Sequence, residues 1–526
     1  MAAIVTDQFR VQNATTFIDS IDNNSYYVFL GLANPYDVDG DTVGFGRTTT
    51  WNPDTAGGSI PQPPIDNQSY LSHYRDTILF GKKVTQSNVR RVVKKVEWTA
   101  NTKYDMYRHD YDIYNKTPNS STARLYDSNF YVVNKDYRVY ICLYNGSSGN
   151  NTTGEPSQDE PTFTDLEPSA AGDSNDGYIW KYLFTIAPSD IIKFDSTEYI
   201  ILPNNWDTST DFEIKSVRES GNSSASNNQI KVVYIENSGS EFYESGTYPI
   251  LGDGTGAEVQ ITANTSGEIV RTRVINGGSG YTFGIVDLKS PSGIDVNKRA
   301  KLIPIIPPSR GHGYDIYTEL GADKVLIYTR FDTSTKEFSA NTRFAQVGII
   351  KNPEQHSSGF TLAGNTFSGL NSIKLDTVPE TLPTIGERIV QTKADNSIAQ
   401  GIIAAYDQET NVLKYYQDRS LYLTDFINTM DDSTISQRGQ VLSFESSGNS
   451  INSSSGFEGS VDQNFNGSTL NLDNATGIVG LGVTFTAGLA QPEINKSTGD
   501  IIYIDNRSIV SRSIRQKEDV KIILEF

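Results

Sequence analysis

One cysteine, Cys142, stands among 526 residues. A single thiol excludes internal disulfides and any zinc site built on cysteines. The expected place of synthesis is the cytoplasm, with stability outside a cell coming from packing and assembly. Cys142 lies in RVYICLYN, an alternating pattern that makes it a small buried side chain on a strand. Histidines are four, His73, His109, His312 and His356, with no HExxH or His-x-His spacing among them. No apolar run approaches the roughly 18 residues of a spanning helix. The opening MAAIVTDQFR has no basic region followed by an apolar run, so no signal peptide is expected. Positive charge is also scarce. Lys and Arg number 44 against 63 Asp and Glu, for a net charge of −19. That balance repels phosphate backbones and anionic lipid surfaces, so neither nucleic acid nor membrane is an expected partner.

What the chain has is length, aromatics and glycine: 29 Tyr, 23 Phe and 43 Gly. The length exceeds one ordinary core, and the composition favours β structure with many turns. Asp176 to Pro203 is the densest apolar block. Within it Tyr178, Trp180, Tyr182 and Phe184 alternate with Ile179, Lys181, Leu183 and Thr185, which predicts a strand with one aromatic face, ended by Pro188. Tyr199 to Leu202 is a second strand.

Helical spacing is rare. Val11, Ala14, Phe17, Ile18 and Ile21 predict one helix, stopped at Asn23-Asn24. Val89, Val92, Val93 and Val96 predict a second, starting near Ser87. Tyr26 to Leu32 predicts a strand, and Asn34 to Gln68 a long loop anchored by Trp51. Ser147 to Asn175 is a polar surface loop.

Residues 216–298 change character and carry a weak repeat. IENSGSEF (Ile235 to Phe242) is echoed by INGGSGYT (Ile275 to Thr282), with a hairpin predicted between them at Thr265-Ser266-Gly267. Strong strands return over 299–354. Residues 355–492 form a further insertion, with a β-meander over Gly386 to Gln391, Gln400 to Asp407 and Asn411 to Asp418. Within it Ser443 to Ser468 has the composition of a flexible or exposed segment. At the end, Val520, Ile522, Leu524 and Phe526 alternate as a strand built into a sheet. The fold expected is mainly β, a multi-domain β-sandwich core with one or two short helices. The core combines 1–215, 299–354 and 493–526, and small β modules are inserted at 216–298 and 355–492.

Candidate chemistry is thin. His312, between Gly311 and Gly313 with Asp315 nearby, suits a ligand loop, but a tight turn packing on strands is the plainer reading. Asp37, Asp39 and Asp41 resemble the start of a calcium loop, yet the glycine falls at position four and Thr48 stands where the closing Glu belongs. The NGGSG-type turns lack the Lys-Ser/Thr and the following helix of a phosphate loop. No carboxylate pair and no nucleophile–histidine arrangement stands out. Lys82, Lys83, Arg90, Arg91, Lys94 and Lys95 form a basic cluster, with the last four placed on one helix face. Its plain reading is a solvated face; its sharper one is an electrostatic contact with an acidic partner subunit.

Three collinear segments carry a resemblance. They are AAIVTDQFRVQNATTFIDSI (Ala2 to Ile21), DGYIWKYLFTIAP (Asp176 to Pro188) and GDIIYIDNRSIVSRSIRQKEDVKIILEF (Gly499 to Phe526). Together they resemble the baseplate wedge subunit, gene product eight type, of T-even-like contractile-tailed bacteriophages. EYIILP (Glu198 to Pro203) and FAQVGIIKNP (Phe344 to Pro353) are similar to further segments of that family. GHGYDIYTELGA (Gly311 to Ala322) resembles a form found in relatives from marine cyanobacterial phages. The resemblance covers roughly 1–215, 300–354 and 493–526, and the two insertions depart from it. It implies a mostly β, non-enzymatic structural subunit that needs no cofactor. It also implies a homodimer in each wedge, contacting neighbouring wedge proteins during assembly and tail contraction. The expected location is the virion tail baseplate, after synthesis in the host cytoplasm. A receptor- or glycan-binding tail protein is the alternative, drawn from the aromatic and Gly/Ser-rich insertions. A polysaccharide-degrading tail enzyme would need a long β-helix repeat that the chain lacks.

Overall fold

The structure is a computed structural model. It describes residues 5–33, 61, 63–220, 227–240, 243–288, 298–332, 338, 342–417, 441–472, 477–513 and 516–526. The acidic turn at Asp37 to Asp41 and Trp51 lie outside the described residues. The chain is mainly β, as expected, built largely from antiparallel sheets. The described residues hold five α-helices rather than one or two. Three of the unforeseen ones begin at short polar caps. Asn67 accepts from the Tyr70 N–H, Asp211 from Glu213 and Ile214, and Asp315 from Tyr317 and Thr318.

The chain divides into two compact units, one of 1–17, 90–326 and 522–526, the other of 18–89 and 327–521. It crosses between them within the helix Asp7–Asn23, which forms where expected and buries Val11, Ala14, Ile18 and Ile21 on one face. The strands Lys324–Asp332 and Lys517–Glu525 also straddle the division, and both belong to a sheet.

In the first unit the aromatic block is the strand Tyr178–Thr185. It pairs antiparallel with Arg138–Asn145, which pairs in turn with Tyr131–Val133. Cys142 lies opposite Trp180 and Tyr140 opposite Tyr182. Tyr178, Trp180, Tyr182 and Phe184 are all buried. Pro188 does more than stop this strand: it opens the helix Pro188–Phe194 at a position where its missing N–H costs nothing.

The predicted second helix is instead the strand Val89–Lys94, paired with Tyr199–Ile201. Its valines match a helical period, but β-branched side chains favour a strand, and here Arg91 is buried along with Val89, Val92 and Val93.

Residues 230–306 hold a core of their own. The predicted hairpin is Thr255–Ala263 with Ile269–Ser279, extended by Gly246–Gly252 and then Gly284–Val286 into a four-stranded sheet. One face, with Ala257, Val259 and Ile261, packs against Val233, Ile235 and Leu302 of the paired strands Val233–Asn237 and Lys301–Pro304. The weak repeat has a physical basis in this module. In both copies an asparagine Oδ1 accepts from the N–H of the glycine two residues on: Asn237 from Gly239 at 2.9 Å and Asn276 from Gly278 at 3.0 Å. Both glycines have φ above +60°, a region closed to most side chains.

In the second unit Tyr26–Gly31 is buried throughout, between Ile78–Lys83 and Arg343–Lys351. The sheet ends in Thr366–Ser368 on one side and Asp500–Ser511 on the other. The predicted meander is present as Arg388–Thr392, Ile398–Asp407 and Val412–Tyr416 within a seven-stranded sheet. The segment Ser443 to Ser468, expected to be flexible or exposed, is exposed over much of its length but anchored at four apolar points. Phe444, Ile451, Phe457 and Val461 are buried in the core of that sheet, and Glu387 accepts hydrogen bonds from Ser454 and from Ser455.

Candidate interaction surface and a buried polar cluster

Five of the six residues of the basic cluster lie on two strands and Lys95 lies just past the second, none of them on a helix. Successive side chains on a strand point to opposite faces, so Arg90 and Arg91 part company. Arg90 holds Asp190 with two bonds, Nε to Oδ2 at 2.9 Å and Nη2 to Oδ1 at 2.8 Å, and lies over the Phe194 ring. Arg91 is buried with its guanidinium 3.9 Å from the centre of the Tyr317 ring. These two arginines are fastened inside the unit. Lys82 donates to the carbonyl of Arg330 at 2.9 Å and Lys83 to that of Ala363 at 3.4 Å. Lys95 pairs with Glu97 at 2.8 Å. Lys94 is exposed and makes no ion pair among the described residues; its ammonium donates to Asn129 Oδ1 at 3.0 Å.

Lys94 and Lys95 line a groove of about 470 Å³ in the first unit, with Arg124 and Lys324. Four carboxylates, Asp127, Glu198, Asp323 and Glu525, line the same groove. Arg124 pairs with Asp7 and Asp127, and Lys324 with Asp323 and Glu525. The groove is therefore largely neutralised from within, and Lys94 is its cation most open to a carboxylate from outside.

His312 is a folding device, in line with the plainer reading. Its Nδ1 lies 2.6 Å from Glu319 Oε1, and the Gly313 N–H donates to Glu319 Oε2 at 2.6 Å. The Tyr107 ring meets the imidazole edge-on at 4.8 Å. Glu319 thus clamps the Gly-His-Gly turn against the short helix Ile316–Glu319 that the turn leads into. Lys181, which alternates with the aromatic residues of its strand, belongs to the same neighbourhood. It is buried, donating to the Leu166 carbonyl at 2.7 Å and lying 3.5 Å from Ser220 Oγ. Burial pushes its ammonium down to about 8, against the pull of Glu319 and Glu167. A cavity of about 10 Å³, lined by both Lys181 and His312, has room for one water at most.

Lys181 and Glu319 are the residues the sequence reading missed. The usable signal was a glutamate seven residues after a glycine-flanked histidine. Of the other histidines, His109 accepts from the Ile306 N–H at 3.2 Å, His73 is buried and His356 is exposed. Among the described residues no group of three or more His, Cys, Asp or Glu is placed to hold a metal ion.

The shifted lysine has a pH consequence. Lys181 titrates near 8 when folded and near 10.5 when unfolded, so the unfolded chain binds more protons between those values. Its contribution to stability is therefore expected to rise with pH from about 8 to 10.5 and to be flat below. Buried tyrosines such as Tyr27, whose phenol burial holds well above its usual range, act in the opposite sense at the alkaline end. The measurement is accordingly a difference. Urea midpoints of wild type and Lys181→Met across pH 7–10.5 are expected to move apart in favour of wild type as pH rises.

No protein-family model matches the chain. The described residues define a mainly β scaffold whose charged clusters close largely on one another. Over 226 residues the chain is 26% identical to baseplate wedge protein gp8 of Enterobacteria phage T4, a match covering 38% of this chain. The chain spans 60% of the length of that relative, and the relationship is a distant one to a phage baseplate protein.

Proposed function

We propose that this protein is a structural, non-enzymatic subunit of a phage tail baseplate wedge. The observation that carries the reading is the 226-residue similarity to the T4 wedge protein. The clusters around Arg90, Arg91, Glu319 and the Lys324 groove, whose charges are largely matched within the fold, fit a structural role. In this reading the protein forms a homodimer, contacts neighbouring wedge proteins during assembly and tail contraction, and resides in the virion after synthesis in the host cytoplasm. Locating the chain in a density map of the whole virion tests this. Density in the baseplate is expected, and density at fibre tips overturns the reading.

The basic cluster enters as a contact for an acidic partner subunit, now weighted toward its accessible lysines. Reversing Arg90 or Arg91 would break internal pairs and confuse folding with docking. Lys94→Glu with Lys95→Glu leaves those pairs intact and gives up only the Lys95–Glu97 ion pair. It is expected to weaken wedge assembly several-fold at low salt, by sedimentation of the co-expressed proteins. Assembly unchanged by this pair would remove the groove from the interface.

A further inference from the structure

The four-stranded sheet of residues 246–286 covers its core with one face and leaves the other open. Register assigns the open face. Arg271 lies opposite Thr262 and Arg273 opposite Gln260, while Glu258 and Gln260 lie opposite Pro249 and Thr247 of the next strand. Ile285 of the edge strand lies opposite Leu251. All of these but the half-buried Pro249 are exposed.

Two features of this face are unusual for a free surface. Arg271 and Arg273 point the same way about 7 Å apart, the spacing of alternate residues on a strand. Neither side chain makes an ion pair or a hydrogen bond among the described residues, in a protein with 63 acidic side chains; the Arg271 guanidinium is only within electrostatic reach of the Tyr144 phenol. At the far edge, Leu251, Phe283 and Ile285 are 56%, 56% and 64% exposed. The face runs from two unmatched guanidiniums, across Gln and Thr side chains and the single carboxylate of Glu258, to an apolar corner.

We propose that this open face docks an acidic protein surface: carboxylates meet Arg271 and Arg273, and an apolar patch of the same partner covers Leu251, Phe283 and Ile285. Charge complementarity gives the sign of the partner, because guanidinium pairs are suited to bidentate carboxylates. The apolar corner decides its class. A nucleic acid or a sulfated polysaccharide would satisfy the arginines but leave three large apolar side chains in water. The module thereby gains a role as an added contact between subunits.

The choice of partner in the test rests on the baseplate reading. The full chain is co-expressed with the other baseplate proteins of its own phage, and complexes are measured by sedimentation. Arg271→Glu with Arg273→Glu is expected to weaken one binary complex at least tenfold and to reduce its salt dependence. Leu251→Ser with Ile285→Ser is expected to weaken the same complex without changing the salt slope. Circular dichroism melts should match wild type, since none of the four side chains is buried. If wild type joins a wedge protein and both double variants join it equally well, the inference is overturned while the baseplate reading stands. If wild type joins none, both fall. A defect seen only in self-association, or only in binding to dextran sulfate, also overturns it, by assigning the face to a second copy or to a polyanion.

Discussion

Trp180→Ala is expected to destabilise the unit that contains it by about 3–5 kcal/mol, the range for deleting a buried indole. Trp180 is wholly buried. It stacks on Tyr178 with centroids 5.3 Å apart and meets Tyr104 edge-on at 5.7 Å. Tyr178 in turn accepts from the Tyr104 N–H at 2.9 Å and donates to the Glu155 carbonyl at 2.8 Å. Removing the indole therefore opens a cavity beside two tyrosines that are tied to the backbone and cannot close on it. Trp180→Phe is the informative control. The indole N–H has no hydrogen-bond partner, so phenylalanine forfeits volume and stacking but no polar contact, and the loss should be much smaller. Urea unfolding followed by far-ultraviolet circular dichroism separates the two, read as the transition of that unit alone because two units need not unfold together. Equal losses from alanine and phenylalanine would mean that the site relaxes around the smaller side chain.

Glu319→Ala carries the second large effect, also about 3–5 kcal/mol, the cost of removing one partner from a buried charged cluster. The carboxylate accepts from the Gly313 N–H, contacts His312 and offsets the charge of Lys181. Its loss leaves a backbone donor unpaired and an ammonium further from any counter-charge. Glu319→Gln keeps an acceptor for Gly313 and should lose less. In both variants Lys181 is expected to titrate below its present value of about 8. The alkaline rise in stability should therefore begin at lower pH, which a merely misfolded turn would not produce. Urea midpoints against pH read both quantities.

Strands were legible wherever one face is apolar and the other is not, or wherever turn chemistry brackets a short apolar run. The aromatic strand, the hairpin around Gly267 and the meander of 388–416 all have those marks. The strand Val89–Lys94 did not, because two arginines in a buried strand mimic the polar side of a helix. What buries them is supplied from far along the chain, by Asp190 and Tyr317. Ser443 to Ser468 was legible only in part for a related reason: composition averages over a segment, whereas four widely spaced apolar residues are enough to anchor it. Of the candidate surface, the lysines were legible as charge, but which of them remain available depends on partners that no local pattern announces. The two arginines at 271 and 273 drew no notice in sequence, since two charges in a hairpin are ordinary until the sheet shows them unmatched.

Cys142 is fully enclosed between strands, and burial pushes its thiol well above the usual range. A thiolate is the reactive form, so this sulfur should stay silent toward maleimides while the fold holds. The natural protein is in that sense already a cysteine-free background. A single cysteine introduced on any exposed loop would be the sole point of attachment for a fluorophore or spin label. Distances within any assembly the protein enters could then be followed without first altering the core.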